Sequence, residues 1–86
     1  MIIMKLLKYP ISTEKAIRLV EAENKLVFVV EKSTTKRDIL DEFEKVFKAK
    51  VDKVNTYIDR KGKRRAYIKL NSESPAIDIA TQLGLI

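Results

Sequence analysis

The 86-residue sequence predicts an α+β fold: an antiparallel sheet of three to four strands packed with three helices in a split β-α-β arrangement. Three observations predict it. The run Leu26-Val27-Phe28-Val29-Val30 is apolar at every position, rich in β-branched residues and too short for a buried helix, so it reads as a central strand covered on both faces. Two later segments, on either side of Gly62, alternate with period two. Three other segments carry apolar residues at helical spacing.

At this length a single hydrophobic core is expected, and residues 1–86 are read as one domain. The start, Met1 to Lys8, is apolar but too short and too lysine-studded for a membrane span, and is read as part of that domain, with a first edge strand near Ile3 to Leu7. Helix one follows. Pro10 blocks helix before it, Ser12 or Thr13 caps it, and Glu14 puts an acid in its first turn. Ala16, Ile17, Leu19 and Val20 form its apolar face up to about Ala22, and Ile11 is placed to staple onto Ala16. Asn24 marks the turn into the central strand.

Ser33-Thr34-Thr35 offers caps for helix two, in which Ile39, Leu40, Phe43, Val46 and Phe47 recur with a period of about 3.6 residues. Its acids Asp41, Glu42 and Glu44 interleave with Lys36, Arg37, Lys45 and Lys48, the pattern of a solvated face rather than of a metal site. In the next strand Val54, Thr56 and Ile58 share one face while Lys53, Asn55, Tyr57 and Asp59 share the other. Beyond Gly62, Ala66, Ile68 and Leu70 are core candidates, and Arg65, Tyr67 and Lys69 point away.

Directly opposed residues of an antiparallel pair lie on one face, so Ile58 must oppose Ala66 or another even-numbered residue. A plain two-residue Lys61-Gly62 turn would oppose it to Arg65. The connection is therefore a three- or five-residue loop, or a two-residue loop with a bulge. For helix three, Ser74 caps, Pro75 takes the first helical position, Ala76, Ile77, Ala80 and Leu83 form the stripe, and Gly84 ends it in the left-handed region.

Composition narrows the function. With no cysteine and no histidine, disulfides, thiolate or imidazole metal sites and the commonest general base are all missing. No nucleophile-base pair and no phosphate-cradling glycine loop is visible, so no catalytic residue, metal site or cofactor is expected. The charge of +6 is informative by its position. Between Arg60 and Lys69 stand six cations and no acid; the remaining 12 Lys and Arg are balanced by 12 Asp and Glu. The whole excess lies in one stretch, which points to a polyanionic partner.

The outward hairpin face, Lys53, Asn55, Tyr57, Arg65, Tyr67 and Lys69, mixes cations, an amide and aromatics. These are the groups that answer phosphates, ribose hydroxyls and unpaired bases. The plainer reading of Tyr57 and Tyr67 is a cross-strand pair that stabilises the sheet. If about six cations met phosphates, log K would fall with log salt at a slope of roughly −4 to −5. An RNA-recognition motif does not fit, because Lys63 stands where its signature needs an aromatic after Gly62. A free-standing basic nucleic-acid-binding protein remains the alternative on composition alone.

Several separated segments resemble one family: Tyr9-Pro10-Ile11-Ser12-Thr13-Glu14-Lys15-Ala16, Val54-Asn55-Thr56, Gly62-Lys63-Arg64-Arg65-Ala66-Tyr67-Ile68-Lys69-Leu70, Ala76-Ile77-Asp78-Ile79-Ala80 and Gly84-Leu85-Ile86. In this order they resemble the ribosomal protein L23 family of the large subunit, its archaeal and eukaryotic branch more than its bacterial one. The resemblance implies a cytoplasmic, ribosome-bound protein that contacts the third domain of large-subunit rRNA beside the tunnel exit. Its implied neighbour is a protein of the L29 family, and signal recognition particle and the protein-conducting channel would dock nearby without membrane insertion. It implies rRNA contact at Thr35, Lys36, Arg37, Lys53, Asn55, Thr56, Arg60, Lys61, Lys63, Arg64, Arg65 and Tyr67, and a factor-facing Glu14. Alternation points Thr56 inward. The Arg60–Lys63 connection is shorter than the hairpin bacterial members extend into the tunnel, so no contact with nascent chain inside the tunnel is expected.

Overall fold

The computed structural model, which describes residues 5–85, places the apolar run in the interior of a four-stranded antiparallel sheet. The chain order is β1 (Leu7–Pro10), α1 (Glu14–Glu23), β2 (Lys25–Val30), α2 (Lys36–Phe47), β3 (Val51–Ile58), β4 (Arg64–Leu70) and α3 (Ala76–Gln82). The strand order is β1-β2-β4-β3, so β4 is inserted between the two parallel strands that α2 connects, which is the split β-α-β arrangement predicted. All five residues from Leu26 to Val30 are buried. On one face Phe28 meets Phe43 edge-on, with ring centroids 5.9 Å apart, among Ile39, Ile68, Leu70, Ile79 and Ala80.

The first strand lies later than expected, at Leu7–Pro10; Ile3 and Met4 of the expected strand lie outside the described residues. Leu7 opposes Val30 and Tyr9 opposes Val29, which leaves Lys8 as the extra residue of a β-bulge. That bulge disrupts the alternation a sequence reading depends on. Pro10 is tolerated because β1 is an edge strand, and Ile11 donates its N–H to the Val27 carbonyl at 2.8 Å. Thr13 is the cap of α1, accepting from the Ala16 N–H. The residue before the cap is therefore Ser12, so the expected staple from Ile11 does not have its required spacing.

Thr35 and Asp38 form a reciprocal capping box at the start of α2. The acids of this helix are not the uniform solvated face expected. Asp41 is, pairing with Arg37 at 3.4 Å, but Glu42 accepts from the backbone N–H groups of Lys5, Leu6 and Leu7, and Glu44 from that of Val51. Both half-buried carboxylates thus satisfy chain segments beside the helix.

Ile58 opposes Arg64 and Thr56 opposes Ala66, as parity requires. Gly62 donates to the Asp59 carbonyl at 3.0 Å and takes φ +81°, and Asp59 donates to the Lys63 carbonyl at 2.8 Å. This is a three-residue loop with a glycine bulge. In α3, Pro75 is the cap residue rather than the first helical one, and it makes no side-chain cap bond. Instead the Ala76 N–H donates to Asn24 Oδ1 at 2.6 Å, while Ser74 Oγ accepts from the Lys50 N–H. The buried stripe is Ala76, Ile79 and Ala80, at i, i+3 and i+4, rather than one through Ile77, which is exposed. Gly84 ends the helix as expected, donating to Thr81 while Leu85 reaches back to Ala80 in a Schellman pattern.

Candidate nucleic-acid interface

β3 and β4 set the outward residues in directly opposed rungs: Lys53 against Lys69, Asn55 against Tyr67, and Tyr57 against Arg65. A bulge at Asp52 fixes this phase, keeping Val51 on the core side and Lys53 outward. Lys25 of β2 opposes Lys69 from the other side, so three lysines form one row across three strands. Directly opposed like charges cost a sheet a few tenths of a kcal/mol or more, a cost that a polyanion laid across the row would remove. Glu23 offsets only Lys25, at 3.1 Å.

Tyr57 and Tyr67 sit diagonally, with centroids 5.3 Å apart and hydroxyls hydrogen-bonded at 2.9 Å. That bond raises the Tyr67 pKa, so the phenol stays protonated and able to donate. The pairing expected on plain structural grounds is therefore present, with Tyr57 still exposed. Helix α1 reaches the same face: its Ala16 and Leu19 border a hollow of about 70 Å3 with Val27, Tyr57, Arg65 and Tyr67. Val27 and Val29 of β2 are buried, and Lys53, Asn55, Tyr57 and Lys69 of the β3–β4 half remain exposed.

The hairpin loop is held by Asp59. Its carboxylate accepts from the Lys61 N–H at 2.9 Å, the Lys63 N–H at 3.0 Å and Arg65 Nε at 3.0 Å. The Lys63 backbone bond above all, then those from Lys61 and Arg65, hold its pKa below the usual carboxylate range. Arg60, Lys61 and Lys63 are thereby presented from an ordered loop, all exposed. Among the described residues, Lys36, Lys53, Arg60, Lys61, Lys63 and Lys69 make no salt bridge to protein, so their charge is available.

Arg64 behaves differently from its neighbours. By parity it points to the helix side, where it donates to the Lys32 carbonyl at 3.2 Å, to the Thr34 carbonyl and to Thr56 Oγ1 at 3.2 Å. Thr56 is half-buried there, consistent with its inward alternation. These bonds tie the hairpin to the loop between β2 and α2, and so bring Thr35, Lys36 and Arg37 towards the basic hairpin. Thr35 Oγ1 is taken up by the Asp38 N–H, and Arg37 by Asp41, whereas Lys36 is exposed. Glu14 is exposed at the start of α1 and paired with Arg18 at 2.8 Å.

Sequence reasoning missed Lys8, Tyr9, Lys25 and Lys32. Lys63 Nζ donates to the Tyr9 hydroxyl at 2.9 Å and lies 5.6 Å from that ring's centre, and the phenol's hydrogen bond raises the Lys63 pKa. Lys32 Nζ lies 3.8 Å from where a side chain on Gly62 would begin. Only strand pairing reveals these neighbours, since they are distant in sequence. Among the described residues no group of three or more His, Cys, Asp or Glu is placed to hold a metal ion.

The sequence model of the family described as Ribosomal protein L23 matches residues 5–78. The large ribosomal subunit protein uL23 of the archaeon Pyrobaculum aerophilum is 42% identical over 81 residues, covering 94% of this chain and 100% of the relative.

Proposed function

The chain belongs to the ribosomal protein L23 family, and from that premise we propose that it binds large-subunit rRNA through the basic end of its sheet, beside the exit of the polypeptide tunnel. It is a structural constituent of the large ribosomal subunit and not an enzyme, and it works on the ribosome in the cytoplasm. No helix among the described residues is long and apolar enough to cross a membrane.

The observation that carries the reading is the convergence of two loops. Arg64 fastens the hairpin to the β2–α2 loop, and the exposed cations Lys36, Arg60, Lys61 and Lys63 are left without protein acids as partners among the described residues. The lysine row and the two tyrosines continue that surface along the open half of the sheet. In this reading lysines and arginines hold phosphates, Asn55 and Tyr57 meet ribose or base edges, and Asp59 keeps the loop in shape. Arg64 contributes charge and positioning rather than direct contact, because its donors are engaged within the protein.

At the tunnel exit the proposed neighbour is a protein of the L29 family. Glu14, exposed on α1, is proposed to face signal recognition particle and the protein-conducting channel. The test is binding of the purified protein to a fragment of rRNA domain three across a salt series. A preference over unrelated RNA, with a slope of roughly −4 to −5, is expected. The preference should disappear, and the slope flatten, when Arg60, Lys61, Lys63 and Arg65 are all replaced by alanine. Equal, weak binding to every RNA would overturn the reading in favour of a general polyanion binder.

A further inference from the structure

A second basic surface lies around the edge of the sheet from the hairpin face. Lys8, Tyr9, Lys32, Lys63 and Arg64 line a hollow of about 230 Å3 beside Val29. The bulge at Lys8 creates it: with regular pairing Tyr9 would fall on the core side of β1, opposite Phe28. The extra residue instead opposes Tyr9 to Val29 and leaves it 42% exposed. There its hydroxyl accepts from Lys63 and fixes that ammonium at the rim of the hollow. An ammonium has three donors, so two remain for a ligand. Lys32 also lines the hollow, its Nζ 3.8 Å from where a side chain on Gly62 would begin.

From this arrangement we propose that the hollow is a seat for an RNA phosphodiester, held by Lys8, Lys32 and Lys63, and that Tyr9 is the residue that positions Lys63 for it. The proposal deepens the ribosomal reading and rests on it for the source of the phosphate. Four cations and no acid line the hollow among the described residues; next to it Asp59 holds the Lys63 N–H, and Glu31 pairs with Lys8 at 3.6 Å, both side chains of that pair being 47% exposed. A solvated pair of that kind is worth at most about 1 kcal/mol and yields readily to a phosphate. An acidic peptide is the less suitable ligand, because the hollow is continuous through Lys63 with the exposed loop cations Arg60 and Lys61, which suits a chain of regularly spaced phosphates.

The test compares two double variants of equal charge change, Lys8→Gln with Lys32→Gln, and Lys45→Gln with Lys50→Gln, for binding to purified large-subunit rRNA across a salt series. Melting midpoints confirm that both are folded. The first should flatten the slope of log K against log salt by about 1.5 to 2 and weaken binding on the order of tenfold at moderate salt, while the second leaves the slope unchanged. Tyr9→Phe keeps the ring and the net charge but releases Lys63, and should weaken binding a few-fold with little change of slope. Equal slopes for the two double variants would overturn the seat, as would tighter competition by poly-glutamate than by unrelated RNA at matched charge. If wild-type protein shows no preference for its rRNA, the ribosomal reading falls, while the difference between the two slopes still decides the seat.

Discussion

Asn24 and Asp59 each hold a chain reversal with one short polar side chain, in opposite settings. Asn24, half-buried and left-handed at φ 56°, ends α1, and its amide nitrogen reaches the carbonyls of Leu70, Asn71 and Ser74 at 3.1 to 3.3 Å. Its oxygen takes the first N–H of α3, and its own carbonyl accepts from the Leu70 N–H at 3.0 Å. The Asp59 carboxylate accepts three donors and gives none, among the cations of the hairpin loop. An amide serves a junction whose orphan groups are of both kinds, whereas a carboxylate serves a loop that offers only donors. The first side chain secures the fold. The second shapes a surface, at the cost of an acid where RNA phosphates are expected.

Four substitutions would break or sharpen that contrast. Asn24→Ala should have the largest effect, about 2 to 4 kcal/mol in denaturant unfolding, because it strands carbonyls and an α3 N–H and leaves at positive φ a residue that tolerates the left-handed region less well than asparagine. Asn24→Gly restores the backbone preference alone and should recover only a minor part. Gly62→Ala should cost about 1 kcal/mol: no backbone crowds the added atom, with Lys32 Nζ 3.8 Å away, so the expense is the φ of +81°. A fully silent Gly62→Ala would contradict the assigned loop geometry.

The smallest change in stability and the most telling change in function belong to Asp59→Asn. Removing an acid makes the hairpin more positive, so charge alone predicts tighter RNA binding. The loop geometry predicts binding several-fold weaker, with the melting temperature little altered. Its pH dependence follows from the sign of the shift. The folded pKa is below the ordinary carboxylate value, so the contribution is fully present above that value and is lost as pH falls through the lowered one. Amide exchange at Lys61 and Lys63, corrected for its intrinsic pH dependence, should report constant protection from neutrality to about pH 5 and lose it only in stronger acid.

How much of this was legible in the sequence depended on whether the relevant partners were local. The apolar run of β2, the capped periodicity of α2 and the parity rule for the hairpin loop rest on neighbours within one element or one turn, and the structure agrees with each. β1 was displaced because a bulge at Lys8 breaks the period on which strands are recognised. The stripe of α3 runs through Ala76, Ile79 and Ala80, at i, i+3 and i+4, and Ile77 beside Ala76 falls outside it; the bond that starts the helix comes from Asn24, more than fifty residues away. Glu42 and Glu44 looked like solvated acids since helical spacing says nothing about orphaned N–H groups on other segments. At the candidate interface, the one-signed stretch from Arg60 to Lys69 was plain, but the side chains that meet it from other segments, Lys8, Tyr9, Lys25 and Lys32, carried no local mark.

The central claim is that the basic end of the sheet fastens this chain to the large subunit, and the most direct measurement is its copy number in purified large subunits after a high-salt wash. Tagged wild-type protein and the variant with Arg60, Lys61, Lys63 and Arg65 replaced by alanine would be expressed in parallel and quantified by mass spectrometry. The expected result is one wild-type copy per subunit and near-complete loss of the variant, with its melting temperature preserved. Retention of the folded variant at the wild-type level, or removal of the wild type by the wash, would contradict it.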